Sequence, residues 1–564
     1  MKEFFSHLYF RLSALVVLPA FLLLAFDLLE RRGDLPPLVA LHLDAAGRLL
    51  DEQVPYIDFF DWANPFVFDL FTLPRFCFEP LSKLSLLLRM EDVVQGLILL
   101  AFFASISACL ALLIKARASL NLDDSGAASP QSISQSAALA AELDLIALPY
   151  LVGLVFTGFF ARYQLGDLQF LFVLSLAPWL LLRWLSYQRR AYQLPANNAL
   201  DIQGNFALAL GCFAALGSAL DLPHCLALPA IEASLMAYYG KLKPPALRQW
   251  LGVLLGYFLV AMRFFTEPVV MQNAFWYWIV PLKMVHYQVF DANLYPAHSS
   301  PDQSRLFYLF FFAAAAWTIV GRRLSILTPL ITLATVGLGF FLLEKEGFTR
   351  DALVMAFATI VMLSILLAKA LASILPERKK LATALLSVVY LAFALTGFKY
   401  FDITWTDSMS PKSASLHAEL PDVFQLLAKR LKSGSAVMVL ADFPDAIYPL
   451  VANLDLRQSG YLLFARPMKV LNMLIDRGEV SGHWKTLYAH MAGKLNAEFQ
   501  AGTNEIVLVH GDVVPEFLAK SGCQMALDSV YRPDGNCFYF SDNRSPREYI
   551  GFNHPYIVWV KKHK

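Results

Sequence analysis

The sequence predicts an α-helical polytopic membrane protein with about eleven transmembrane helices and a C-terminal extracytoplasmic α/β domain. Three observations lead there. Long apolar runs recur between residues 10 and 400, basic residues collect in every second connection between them, and beyond residue 399 the pattern changes to short helix-like and strand-like stretches. Hydrophobic residues make up 57% of the chain and charged ones only 16%, against about 25% charged in soluble domains. Mean hydropathy is +0.51.

The apolar runs lie near 12–29, 92–114, 143–161, 167–184, 203–220, 222–238, 249–264, 305–320, 326–343, 352–374 and 381–398. The first has no small-x-small cleavage site and is expected to be a retained anchor. With the N-terminus cytoplasmic, the inner connections hold Lys115 and Arg117, then Arg183, Arg189 and Arg190. Lys241, Lys243 and Arg248 follow, then Arg322 and Arg323, then Arg378, Lys379 and Lys380. That alternation is the positive-inside pattern. It places the segment 30–91, the stretch 265–304 and the tail on the outer side.

The chain therefore divides into a membrane domain, 1–400, and an outward domain, 401–564. Within 30–91 the half NPFVFDLFTLPRFCFEPLSKLSLLLR is interrupted by proline and reads as short amphipathic helices at the interface. In the tail, PDVFQLLAKRLKSG has helical spacing, whereas SAVMVLADF, NEIVLVHGD and YIVWVKK read as strands. Arg532-Pro533-Asp534-Gly535 reads as a turn separating two more strands. No repeat of 20–50 residues is visible. A Ser/Ala-rich inner connection spans about 118–138.

Net charge is +1, which gives no electrostatic reason to expect a nucleic-acid partner. Cys109, Cys212 and Cys225 fall in or beside apolar runs as small apolar side chains. Cys523 and Cys537 share the outward tail, where a disulfide between them is an open question. No Walker A, Rossmann glycine pattern or nucleophile elbow occurs. His42 and Asp44 are two ligand-type residues without a visible third, so no metal is expected, and no cofactor.

Five carboxylates, Asp44, Asp51, Glu52, Asp58 and Asp61, crowd the stretch LHLDAAGRLLDEQVPYIDFFDWANPF (Leu41–Phe66). Asp51, Glu52 and Asp69 read as solvated or capping groups. Asp44, Asp58 and Asp61 stand out, the last two because aromatic residues surround them in sequence. An ordered aromatic segment above a membrane covers something, and a partly desolvated carboxylate there is tuned to act as a general base.

The run Asp44-Ala45-Ala46-Gly47-Arg48-Leu49-Leu50, followed by Pro55-Tyr56-Ile57-Asp58-Phe59-Phe60-Asp61-Trp62-Ala63-Asn64-Pro65-Phe66, resembles the first outer loop of GT-C glycosyltransferases. It is most similar to the bacterial branch related to protein O-mannosyltransferases and the lipid A aminoarabinose transferase. Asp44 matches the acidic position after the first membrane helix, and Asp61 opens the second, acidic-aromatic-proline block. That block lacks the histidine and second proline of the family pattern. Leu222-Pro223-His224 resembles a Lys-Pro-His element, with Asp221 in place of the lysine. Leu343-Glu344-Lys345-Glu346-Gly347-Phe348 is similar to a Gln-x-Lys-Gly-aromatic element. The stretch Leu165–Trp179 follows a Gly then Pro-aromatic pattern without its Arg-Glu-His. The resemblance covers roughly residues 10–400.

The resemblance implies a polyprenyl-phosphate sugar donor and inverting transfer to an acceptor hydroxyl at the outer face of the membrane. The acceptor class is open among glycolipid, polysaccharide and protein, and the expected place is a bacterial inner membrane. Asp44 is the expected base, with Asp61 next and Asp58 third. Lys345 and Arg350 are the expected donor-phosphate cations, with Arg162, Lys283 and His286 as further candidates. His224 reads as a structural histidine. Arg48 could pair with Asp44 and depress its pKa. The alternative is a transporter or flippase of lipid-linked sugar, which would place charges at the midplane and show a repeated half. A sensor or assembly protein needs far fewer spans.

Overall fold

A computed structural model of the protein describes residues 8–30, 35–84, 89–121, 130–161, 165–191, 204–240, 247–288, 301–320, 324–344, 352–374, 385–390 with 392, and 423–441. It also describes 444–562, apart from 445–446, 455, 479–481, 511–512 and 538–555. The chain forms two compact units, and neither is a single stretch of sequence. One comprises Met1–Glu30, Gln95–Met262 and Asn293–Tyr400, the other Arg31–Val94, Arg263–Ala292 and Phe401–Lys564.

The first unit is helical. The apolar runs form Leu8–Glu30, Met90–Asn121, Pro130–Phe160, Leu168–Ala191, Asn205–Ser218, Ala227–Tyr239, Leu247–Thr266, Pro301–Val320, Leu327–Glu344 and Leu353–Ile374. Among the described residues, five helices are long and apolar enough to cross a membrane: Met90–Leu120, Ala137–Phe160, Leu168–Gln188, Leu247–Thr266 and Leu353–Ile374. Val16–Phe26, Asn205–Ser218, Tyr308–Ile319 and Leu327–Leu343 are shorter apolar helices. Small residues let helix backbones meet: a Cβ on Gly252 would strike the Leu208 carbonyl, and one on Gly256 would lie 2.7 Å from the Cys212 carbonyl oxygen. This is the close approach that a G-x-x-x-G spacing permits.

Arg183, expected in an inner connection, is inside the Leu168–Ala191 helix and 1% exposed. It pairs with Glu232, donates to Gln249 Oε1 at 2.6 Å and lies over the Tyr187 ring. A buried guanidinium needs such partners because its desolvation is otherwise uncompensated. His224 lies in a short 3-10 turn, Pro223–Leu226, and stacks on Phe172 at 4.2 Å between ring centroids.

The second unit joins helices to a five-stranded sheet. Its strands are β1 (Ala436–Leu440), β2 (Arg457–Gln458), β3 (Ile506–His510), β4 (Tyr531–Cys537) and β5 (Tyr556–Lys561), in the order β2-β1-β3-β5-β4. β2, β1 and β3 are parallel, and β5 runs antiparallel to both β3 and β4. Val437–Leu440 of β1 and Ile506–Val509 of β3 are unbroken apolar runs, the pattern of parallel strands buried on both faces, and all of β3 including His510 is buried. The expected strands at SAVMVLADF, NEIVLVHGD and YIVWVKK are β1, β3 and β5, and the helix Val423–Arg430 lies where helical spacing put it.

Two expectations are corrected in this unit and one open question is answered. The stretch 65–84 is one helix, Pro65–Leu84, which carries Pro74 and Pro80 inside it rather than breaking at them. Arg532–Gly535 is not a turn between strands but part of β4, where a bulge between Pro533 and Gly535 absorbs the proline that cannot donate to the ladder. Cys523 and Cys537 are both buried and form no disulfide.

Candidate active site

The acidic segment opens not as a loop but as a helix, Pro37–Leu50. Pro36 sits extended at its N-cap and Pro37 occupies the first turn, where a missing N–H costs nothing. Val39, Leu41, Leu43, Ala45 and Ala46 bury the helix on more than one side. Asp44 nevertheless keeps 28% of its side chain open, and Arg48, one turn on, keeps 12%. Arg48 Nε donates to Asp44 Oδ2 at 3.2 Å. Its two terminal nitrogens go elsewhere: Nη1 to the Gly460 carbonyl at 2.6 Å and Nη2 to the Gln458 carbonyl at 2.7 Å. Hydrogen bonds from a charged donor contribute about 1.5–3 kcal/mol each, so the side chain is firmly held.

A second guanidinium reaches the same helix. Arg75, on Pro65–Leu84, donates from Nη2 and Nε to the Leu43 carbonyl at 3.1 and 3.3 Å. Gly47 makes room for it, since a Cβ there would collide with the Arg75 guanidinium. The buried Tyr448 hydroxyl lies beside the Asp44 carboxyl, outside good hydrogen-bond geometry yet near enough to favour the ionised form.

These groups pull Asp44 in opposite directions. Crowding by protein raises its pKa above the usual 3.8, while Arg48, Arg75 and the Tyr448 hydroxyl lower it. Burial wins, so the carboxyl binds a proton more tightly than a solvated aspartate, and the tension with Arg48 resolves in favour of a base. The site is thus a half-open carboxylate, raised in basicity, with two arginines alongside.

Asp61 is placed differently. It is 1% exposed, and its Oδ1 accepts from the Ala63 N–H at 3.0 Å, closing a local turn. Its Oδ2 lies 3.6 Å from His42 Nδ1, too long for a hydrogen bond, and His42 is itself 3% exposed against Phe71. Asp61 ends in buried surroundings beside His42, and its charge and that of Asp44 both act on the buried Tyr448. Among the described residues no three His, Cys, Asp or Glu side chains converge as metal ligands.

Asp58 is not packed among aromatics as its neighbours suggested. It is 43% exposed, its Oδ2 caps the Val54 N–H at 3.0 Å, and its Oδ1 is 3.4 Å from Lys494 Nζ. The aromatics turn the other way. Phe59, Phe60 and Tyr56 are fully buried, and Trp62 packs on His286 and Phe464 at 5.0 and 5.5 Å between centroids. Tyr56 holds a left-handed backbone, φ +69°, a conformation costing about 1–3 kcal/mol. Three hydrogen bonds hold it there: its N–H to the Phe59 carbonyl, its hydroxyl to the Ala63 carbonyl, and its own carbonyl from the Tyr461 hydroxyl.

Of the expected phosphate cations, His286 and Lys283 lie on the helix Val280–Gln288, one turn apart. His286 is buried behind Trp62. Lys345, Arg350 and Arg162 lie outside the described residues. Asp69, read as an idle carboxylate, bonds Arg263 at 2.8 Å, and Arg263 also pairs with Glu267.

Arg75, Tyr448 and the Gln458 and Gly460 carbonyls went unread in the sequence. Arg75 sat in a stretch assigned to the interface, and backbone carbonyls leave no signal in side-chain chemistry. Gly47 was the available clue, a helix-interior glycine beside the acidic position. No known protein family matches this chain, and no curated protein matches it as a relative. The GT-C resemblance accordingly rests on the motif residues quoted above.

Proposed function

We propose that the protein is a GT-C-like membrane glycosyltransferase. It moves a sugar from a polyprenyl-phosphate carrier to an acceptor hydroxyl at the outer face of a bacterial inner membrane, with inversion. The observation that carries this reading is Asp44, a half-open carboxylate of raised basicity at the motif's first acidic position. In the proposed reaction Asp44 removes the proton from the acceptor hydroxyl as its oxygen attacks the anomeric carbon. The polyprenyl phosphate leaves, and cations beside it balance its charge. Arg75 and Lys283 are the candidates among the described residues, with Lys345, Arg350 and Arg162 retained from the motif. Asp61 orders the segment from within.

Two further observations support the reading. The five long apolar helices suit a lipid-borne donor. The segments that share a compact unit, Arg31–Val94, Arg263–Ala292 and Phe401–Lys564, are those that the basic connections assign to one side, and about eleven spans would thread them so.

The test is to incubate the full chain in detergent with radiolabelled polyprenyl-phosphate sugars and a membrane-extract acceptor, beside Asp44→Asn. Consumption of one donor by wild type, lost in the variant, supports the reading. Lipid-linked sugar crossing vesicles with no donor consumed overturns it in favour of a carrier.

A further inference from the structure

The groups facing Asp44 are Arg48 on its own helix, Arg75 from Pro65–Leu84 and Tyr448 from the helix Tyr448–Asn453. Glu498, on the helix Gly482–Ala501, acts on Arg48 from the C-terminal segment. Arg48 bonds both the carboxyl and the backbone of that segment. We propose that the C-terminal segment is a working part of the site: the Gln458 and Gly460 carbonyls hold the Arg48 guanidinium side-on, so that it meets Asp44 through Nε alone and neutralises it only in part. Arg48 is then a positioning residue, and the turn 458–460 is its clamp. The inference rests on Asp44 being the base.

The turn is built for this. Gly460 takes φ +103°, where a side chain is strained, and a Cβ would lie 3.1 Å from Met438 Cε and 3.4 Å from Glu498 Oε2. Gln458 cannot drift, because its side chain accepts from the Val439 N–H at 3.1 Å and donates to the Val439 carbonyl at 2.9 Å. Just beyond, the strap is sewn to the acidic segment. The Phe60 N–H donates to the Tyr461 carbonyl at 2.6 Å, and the Leu463 N–H to the Phe60 carbonyl at 3.2 Å. An unclamped Arg48, one turn from Asp44 on the same helix, would turn two nitrogens onto the carboxylate as a bidentate pair.

The experiment reads Asp44 without substrate. Full-length protein in detergent is labelled with a carbodiimide and an amine across a pH series, and the Asp44 and Asp51 peptides are quantified by mass. Exposed Asp51 serves as internal reference. Arg48→Met is expected to move the Asp44 labelling midpoint up by about 1 pH unit, because the opposing charge is gone. Gly460→Ala is expected to move it down by a similar amount, with Asp51 unmoved in both. If Gly460→Ala does not elute as a single folded species, Gln458→Ala loosens the same turn and carries the same expectation. An Asp44 midpoint unmoved by the turn variant overturns the clamp, and one unmoved by Arg48→Met overturns Arg48 as its agent. Donor consumption is measured on the same samples. Midpoints that shift as expected in a protein that consumes no donor leave the clamp standing and remove the transferase reading.

Discussion

Arg48 meets Asp44 through one nitrogen, at 3.2 Å, because its other two are bonded to the Gly460 and Gln458 carbonyls more than 400 positions along the chain. An acid four residues before a base on a helix is placed to pair with it. Here the partner is drawn aside, and burial is left to raise the acid's pKa.

The first prediction concerns that acid. Asp44→Asn should lower transfer by about 10²–10⁴-fold, the range typical for losing a general base, while the protein elutes and melts as wild type does. Because the base must be ionised, wild-type kcat/KM should fall as pH drops through the raised Asp44 pKa. Its acid limb should therefore lie above the ordinary aspartate value of 3.8. A limb at or below that value would contradict the assignment.

Asp61 should behave as a structural residue. Asp61→Ala removes the acceptor of the Ala63 N–H in a buried turn, at a cost of about 1–3 kcal/mol, so the melting temperature should fall. Asp61→Asn keeps an acceptor oxygen and should retain most of the activity. Turnover collapsing in Asp61→Asn with unchanged melting would make Asp61 the base instead.

Gly47→Ala tests Arg75. Alanine gains about 0.8–1.0 kcal/mol of helix propensity, but its Cβ displaces the Arg75 guanidinium and loses its hydrogen bonds to the Leu43 carbonyl, worth about 1.5–3 kcal/mol each. The melting temperature should therefore fall. Transfer should fall, because one of the two cations beside Asp44 has moved. Unchanged kinetics would show Arg75 to be a strut only.

Glu498 gives a pH signature of stability. Burial is the largest cause of its pKa rising from 4.5 to about 7, ahead of the lowering by a backbone hydrogen bond from Tyr461 and by the charges of Arg48 and Lys494. A folded-state pKa above the unfolded one means stability present below pH 4.5 and lost as pH rises to about 7. Glu498→Gln should therefore raise the melting temperature above pH 7 relative to wild type and lose that advantage below pH 4.5. Equal differences at both pH values would refute it.

The apolar helices and the strands β1, β3 and β5 were legible in the sequence because each is a local pattern. Run length and the unbroken Val437–Leu440 and Ile506–His510 stretches declare burial whatever their partners. The spacing of acid, glycine and arginine singled out Asp44 as a candidate, and the fold sets Arg48 and Arg75 beside it. The character of the neighbouring residues was not legible. Aromatic residues on both sides of Asp58 suggested a packed carboxylate, yet Asp58 lies in a turn, where its side chain accepts from the Val54 N–H at the surface. Phe59 and Phe60 went inward while Asp58 met water and Lys494. Proline counted as a helix breaker at Pro74 and Pro80, yet both lie inside one helix, Pro74 buried and Pro80 exposed. Arg183 read as a loop cation until Glu232 and Gln249 were seen to enclose it.

Which residues are greasy, which are acidic and how they are spaced belong to the sequence. How strongly Asp44 holds its proton belongs to the tertiary structure. That balance is set by protein crowded around it, by Arg75 reaching past Gly47, and by two carbonyls that only the folded chain brings to Arg48. Desolvation and charge act through space, and distances in space between segments so far apart are fixed only when the whole unit packs.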